Sequence, residues 1–191
     1  MEKERYRIVF SGSGGQGVIT ASIILAEAAV IFEGLNAVQS QSYGPEARGG
    51  ATRADVIISN RDIRFPKVTQ PNILISLTQE AYSKFSASIR PGGLLLTDSH
   101  FVKHERKVDA RQVSLPMYET VLEKCGKAVV YNICVLGAML GLTRLVSTDS
   151  ILKVLEKRVP TELLPLNRTA FEVGLSMVEP EARGQRSEVR E

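Results

Sequence analysis

Apolar and polar positions change rhythm several times along this chain. Tyr6 to Phe10 is a short apolar run that reads as a buried strand, and Val18 to Phe32 is a long one that reads as a helix over Gly17 to Glu33. That helix is apolar nearly all round, with only Thr20, Ser22 and Glu27 to break it. A surface helix should show a polar face, so either another layer of this chain or a partner covers it, the partner being the favoured reading. Gly34 is placed to end it in a left-handed cap. Ala37 to Ser42 and Ala51 to Ser59 read as the next strands. In the second of these Arg53 and Asp55 share a face at period two, either paired with each other or aimed at a ligand. Asn60 to Asp62 reads as a turn into a short extended piece, Ile63 to Pro66. A hairpin there would be antiparallel, which predicts a mixed sheet.

The second half repeats strand, helix, glycine turn and strand. Asn72 to Leu77 is a buried strand, Thr78 an N-cap, Gln79 to Ser88 a helix, and Leu94 to Thr97 a further buried strand. Lys107 to Val113 follows as a strand and Met117 to Cys125 as an amphipathic helix. Asn132 is expected to cap a smooth apolar helix, Ile133 to Leu142, carrying Gly137, Ala138 and Gly141. Ser150 to Arg158 and Glu162 to Ser176 read as amphipathic helices interrupted by Pro160 and Pro165. Strands alternating with helices predict a layered α/β domain over residues 1–178, its C-terminal part, about 132–178, helical. Residues 179–191 carry too little apolar surface to fold and are expected to form a disordered charged tail.

Composition narrows the possibilities. Across 191 residues, 24 basic and 21 acidic side chains leave a formal charge of +3, with no Lys/Arg block that would call for nucleic acid. Cys125 and Cys134 form neither a CxxC nor a CxxH pattern, so no zinc or iron–sulfur site is implied and a reducing compartment is. The charged N-terminus is not a signal peptide, and no apolar run is long enough for a membrane span. A cytoplasmic location is expected.

Two stretches stand out as chemistry. Gly12, Gly14 and Gly17 fit G-x-G-x-x-G at a strand-to-helix turn. On this pattern Gly12 takes the tight turn, Gly14 and Gly15 let backbone N–H groups approach a ligand, and Gly17 brings helix and strand together. The helix start then offers an anion site. A dinucleotide would also need an acid some 20 residues on, and the second strand has none: Glu33 comes too early and Glu46 too late. The other reading is a glycine turn that serves packing alone. The second stretch, Gln41 to Gly50, crowds Tyr43, Glu46 and Arg48 among three glycines and a proline, a density that often marks a functional loop. His100 and His104 are four apart but lack a third metal ligand nearby. No Ser/His/Asp set, P-loop lysine or defined carboxylate pair occurs, so the residues alone describe a ligand-binding domain that completes a larger assembly.

Gly12-Ser13-Gly14-Gly15-Gln16-Gly17, Ser42-Tyr43-Gly44-Pro45-Glu46-Ala47-Arg48-Gly49-Gly50 and Arg53 to Ser59 together resemble the gamma subunit of 2-oxoacid:ferredoxin oxidoreductases, most closely the 2-oxoglutarate type. The likeness runs from about Tyr6 to Met177. It implies a three-layer α/β/α sandwich with a mixed sheet. It implies alpha, beta and ferredoxin-like delta partner subunits, among which thiamine diphosphate, magnesium and iron–sulfur clusters are held, and ferredoxin as electron acceptor. The implied reaction is oxidative decarboxylation of a 2-oxoacid with coenzyme A. This chain, not catalytic by itself, would line the active-site cleft near coenzyme A. On that reading Gly12, Ser13, Gly14, Gly15, Gln16 and Gly17 bind an anionic group or a partner's polar loop, and Tyr43, Glu46 and Arg48 stand beside them. A homodimer is a further possibility for the isolated chain. The alternatives are a stand-alone dinucleotide-binding oxidoreductase and a purely structural subunit.

Overall fold

A computed structural model describes residues 5–41, 50–105 and 107–178. The expectations for Tyr43, Glu46, Arg48 and the charged tail therefore fall outside the described residues. Six strands form one sheet: β1 (Arg5–Gly12), β2 (Asn36–Gln41), β3 (Thr52–Ser59), β4 (Ile73–Ser76), β5 (Gly93–Asp98) and β6 (Ala110–Leu115). Their order is β2-β3-β1-β4-β5-β6. The strands β1, β4, β5 and β6 run parallel, while β3 runs antiparallel to both β1 and β2. The sheet is mixed, as expected, but for a different reason. Residues 63–66 form no strand, so the antiparallel partner comes from β3 doubling back along β1.

Helices cover both faces. On one lie α1 (Val18–Glu27), α3 (Met117–Cys125), α4 (Tyr131–Thr143), α5 (Thr148–Arg158) and α6 (Leu164–Ser176), sharing a large core with Ile8, Phe10 and Leu96. On the other lies α2 (Gln79–Phe85), packed with Val9, Leu74 and Leu95. The alternation of residues 8, 9 and 10 between two cores is the strand period expressed in space.

Several local expectations are corrected by packing. The helix read as Gly17 to Glu33 is α-helical only to Glu27 and closes through a π-helical turn, Ala28–Phe32, before Gly34 at φ 67°. Its apolar surface is covered mainly by this chain, where α1 packs against β1, β2, β3, α4 and α5. Only Val30 and Ile31, on the π turn, stay about half exposed, at 48% and 52%. The strand read at Lys107 to Val113 lies further on, at Ala110–Leu115. The last helix begins at Leu164, after a 3-10 turn over Thr161–Leu163, with Pro165 in its first turn where a missing N–H costs nothing.

Asn132 is inside α4 rather than at its cap, which is Val130. The smooth face of α4 has a specific use. A Cβ on Gly137 would collide with the Phe171 carbonyl oxygen, and one on Gly174 with the Cys134 carbonyl oxygen. The two backbones therefore cross in contact, glycine on each side.

Ionic contacts tie α5 to the end of α1. Glu27 pairs with Arg158. Glu33 accepts from the Ser147 N–H at 2.8 Å and the Ser150 hydroxyl at 2.6 Å, closing the N-terminus of α5. These donors hold the Glu33 carboxyl below its ordinary range, Ser150 contributing most. A carboxyl lowered on folding stabilises the fold above its unfolded pKa, and that contribution disappears as pH falls through the folded value. Glu33→Gln should thus cost at most about 1 kcal/mol at pH 7, a cap of this kind being partly screened at an exposed site. It should also flatten the loss of stability expected as pH falls through and below the ordinary glutamate value, about 4.3. Urea unfolding of both proteins across that range measures it, and parallel pH profiles would refute the assignment.

Candidate functional site

The chain leaves β1 toward one face of the sheet, through α1, and leaves β4 toward the other, through α2. Neighbouring parallel strands whose connections diverge open a crevice at their carboxyl ends, the usual ligand position in open α/β sheets. The glycine turn sits in that crevice. Thr52 pairs with Gly12, and Gln41 with Ala54, so the residues flanking 42–49 lie on the same edge. The glycine turn and the two flanks of the second stretch are thereby anchored side by side.

Within the turn the glycines do different work from that expected. Gly12 still belongs to β1, and its missing Cβ makes room for the Gln16 amide oxygen. The left-handed positions are Gly15, at φ 86°, and Gly17, at φ 70°. Gly17 is the N-cap of α1, and instead of helix and strand it brings in Asn132: a Cβ there would stand 2.7 Å from the Asn132 side chain. Around Gly14 and Gly15 there is open space.

Gln16 is spent within the site. Its side-chain oxygen accepts from the Ser13 N–H at 2.8 Å, and its amide donates to the Leu77 carbonyl at 3.3 Å. It clamps the glycine turn to the end of β4, across the crevice. Beneath it the buried Ser11 hydroxyl donates to the Ile75 carbonyl at 2.7 Å and lies 3.2 Å from the Ser76 hydroxyl. No side chain caps α1, and its first turn carries no acid. The first N–H groups of a helix lack intrahelical partners. Together with the exposed Gly14 and Gly15 they form a backbone cradle carrying the positive end of the α1 dipole.

The cradle opens into a cleft of about 400 Å³ between α1 and the junctions before α4 and α6. Its walls are mostly apolar, including Val129 at 74% and Leu163 at 42% exposure, with Gln16, Thr20, Asn132, Asn167 and the Glu27-paired Arg158 as polar points. Asn132 is the site residue that sequence reasoning missed. Its signal is a polar residue among the apolar positions of a buried helix, which by sequence alone reads as a cap. The Asn132 amide faces the Gly17 carbonyl at 3.4 Å.

Other candidates serve structure. Arg53 and Asp55 pair with each other at 2.6 and 3.0 Å, and Arg53 also donates to the Val68 carbonyl at 2.7 Å. His100 meets Glu119 at 2.9 Å, while His104 meets the Thr97 hydroxyl at 2.8 Å and stacks on Tyr82. At the end of β5 the buried Asp98 accepts from the Tyr131 hydroxyl and the His100 and Tyr118 N–H groups. Burial pushes its carboxyl up despite these three donors. Burial also pushes the Cys134 thiol up to about 12, which leaves it without thiolate character. Among the described residues no group of three or more His, Cys, Asp and Glu could hold a metal ion. None of their helices is long and apolar enough to cross a membrane.

Dinucleotide binding fails on topology as well as on the missing acid. The strand that follows α1 is not beside β1, because β3 is inserted between them. An acid at its end would not reach a ribose seated on the glycine turn.

Residues 7–177 match the family described as pyruvate ferredoxin/flavodoxin oxidoreductase. The chain belongs to that family. Among curated relatives of this family member, the 2-oxoglutarate synthase subunit KorC of Methanocaldococcus jannaschii is 42% identical over 90% of this chain and 93% of its own length. The pyruvate synthase subunit PorC of Methanothermobacter marburgensis is 31% identical over 87% and 93%. Among solved structures, the gamma subunit of a keto/oxoacid ferredoxin oxidoreductase from Geobacter sulfurreducens superposes with a TM-score of 0.85 at 44% identity, covering 91% of this chain and 96% of that one. The α/β architecture with its mixed sheet is therefore the family's, and these relatives are subunits of 2-oxoacid oxidoreductases.

Proposed function

We propose that this chain is the gamma subunit of a thiamine-diphosphate-dependent 2-oxoacid:ferredoxin oxidoreductase acting on 2-oxoglutarate, and that its glycine-turn edge lines the coenzyme A side of the active-site cleft. One observation carries the role: an uncapped helix start and an open glycine turn share a sheet edge with the flanks of residues 42–49, and among the described residues no histidine or carboxylate lines the turn. Curated relatives support the substrate: four of them, from archaea including Methanocaldococcus jannaschii, are 2-oxoglutarate synthase subunits. A 2-oxoglutarate:ferredoxin oxidoreductase from Magnetococcus marinus, solved with coenzyme A bound, shares the fold at 23% identity and a TM-score of 0.83, this chain spanning 32% of that one.

Thiamine diphosphate, when bound by partner subunits, supplies the carbanion chemistry of decarboxylation, and iron–sulfur clusters there carry electrons to ferredoxin. This chain binds and orients. The N–H groups of Gly14, Gly15 and Gly17 and the α1 dipole receive a phosphate of coenzyme A, for which a backbone cradle without side-chain obstruction is suited. Gln16 keeps the cradle rigid, Arg48 adds a cationic partner, and Tyr43 and Glu46 fix the loop beside it. The cleft beyond, mostly apolar with Thr20, Asn132, Asn167 and Arg158 as its polar points, suits the coenzyme's pantetheine arm or a partner's side chains.

The tagged chain purified from its native cells should bring down large thiamine- and iron–sulfur-containing subunits. The complex should reduce a dye only with 2-oxoglutarate and coenzyme A together. A lone chain carrying a bound nucleotide would overturn the assignment. In the assembled complex Arg48→Ala should raise the KM for coenzyme A about tenfold, the loss of one charge-assisted contact, with kcat little changed. Unchanged kinetics would remove Arg48 from the site, and a complex that falls apart would make it an interface residue instead.

A further inference from the structure

Asn132 and Asn167 stand in the cleft with their hydrogen-bonding capacity half used. Both line it, and each is only 8% exposed. Asn132 is the second residue of α4 and Asn167 the fourth of α6. The two helices run in the same direction, since Gly137 abuts Phe171 while Gly141 abuts Leu175 and Val178. Their starts therefore lie at one end, and the two asparagines with them. Each spends its amide NH2 group on a backbone carbonyl, Asn132 on that of Gly17 at 3.4 Å and Asn167 on that of Leu163 at 2.8 Å. Turning either amide over would set its oxygen against that carbonyl, so the orientation is fixed by the bond. Both side-chain oxygens are left without a donor among the described residues.

Unpaired acceptors in a mostly apolar cleft are costly unless a ligand brings donors to them. The same groups decide the charge of that ligand. Two carbonyl-type oxygens repel an anion, and Arg158 on the wall, though paired with Glu27, disfavours a cation. A neutral group with N–H donors remains. The wall offers donors as well. The N–H groups of Ala128 and Val129, which open the 3-10 turn leading into α4, have no backbone acceptor among the described residues. Acceptors and donors lining one cleft suit a secondary amide, which carries one of each.

We propose that Asn132 and Asn167 position the pantetheine arm of coenzyme A, their side-chain oxygens accepting its two amide N–H groups. The arm is neutral and aliphatic between its two secondary amides, which matches apolar walls and two acceptors. Gly15, Gln16 and Gly17 line the near end of the cleft, so an arm whose phosphates sit on the glycine turn enters it directly. This inference rests on the coenzyme A reading of that turn and adds the residues that select the arm.

Calorimetric titration of the assembled complex with desulfo-coenzyme A and with adenosine 3′,5′-bisphosphate tests it. Asn167→Leu keeps the size of the side chain and removes the acceptor. It should weaken binding of desulfo-coenzyme A about tenfold, the loss expected when a buried polar group is left unpaired. Binding of the bisphosphate, which lacks the arm, should not change. Asn132→Ala should act alike, and serves if the leucine variant does not fold. Desulfo-coenzyme A with its amide N–H groups replaced by ester oxygens should bind the parent complex about tenfold more weakly than the amide form. The Asn132→Ala/Asn167→Leu complex should bind the two forms equally. A parent complex that binds neither desulfo-coenzyme A nor the bisphosphate refutes the coenzyme A reading itself. Desulfo-coenzyme A bound alike by parent and variants, or both ligands weakened together, overturns the positioning role and leaves that reading standing. Variants that lose partner subunits on purification make the cleft a socket for a partner's peptide, and the inference fails.

Discussion

Replacing Gly174 with alanine is expected to remove about 3 kcal/mol of stability, the upper range for overpacking a well-packed core. The added methyl would collide with the Cys134 carbonyl oxygen and stand 2.8 Å from the Ala138 nitrogen. Both obstacles are backbone atoms of α4, so no rotamer change can relieve them. The helices must move apart, and with them Phe171 and Ala170, which are fully buried. Denaturant unfolding should show a lower midpoint with unchanged slope. Gly137→Ala meets the Phe171 carbonyl from the other side of the same crossing. Once either methyl has separated the helices, the second meets less resistance, so the double variant should lose less than the sum. A Gly174→Ala protein as stable as the parent would mean that α4 and α6 do not cross in backbone contact.

Gly17→Ala should cost nearly as much, from two separable causes. Its φ of 70° is left-handed, which costs an ordinary residue about 1–2 kcal/mol. The new methyl would also lie 2.7 to 2.8 Å from Asn132, adding about 1–2 kcal/mol of overpacking. A double-mutant cycle separates them. Asn132→Ala alone gives up only a weak contact to the Gly17 carbonyl. Combined with Gly17→Ala it should recover the overpacking part and leave the backbone part. Equal losses in the presence and absence of Asn132 would show that the close approach is not real. Because the same residue starts the proposed phosphate cradle, Gly17→Ala should also raise the KM for coenzyme A in the complex beyond what the stability loss explains. Asn132→Ala should not restore that.

Much of this was legible along the chain because local pattern and tertiary role coincide. Thr78 reads as a cap, and its hydroxyl accepts from the Ala81 N–H at 3.2 Å. Met117–Cys125 has the bounds its amphipathic period predicts, and Gly34 takes its left-handed conformation. The readings that failed are those in which the deciding neighbour is distant in sequence. The apolar surface of α1 reads as a partner's footprint until α4 and α5, more than a hundred residues on, are seen to cover it. Asn132 reads as a cap because nothing nearby in sequence shows that Gly17 lies against it. Residues 60–66 read as a hairpin, although β1 finds its antiparallel neighbour in β3.

Most of the elements, their alternation, the glycine turn at the first strand-to-helix junction and the family follow from the order of residues alone. Period, propensity and turn chemistry act over a few residues, and motifs are strings. Which strand lies beside β1 emerges only from the folded sheet, and its order argues against a dinucleotide geometry. The fold also anchored the glycine turn and the flanks of residues 42–49 on one edge and turned Gln16 inward as a clamp. Strand order and side-chain partners are set by packing between residues far apart in the chain, where sequence spacing carries no distance information.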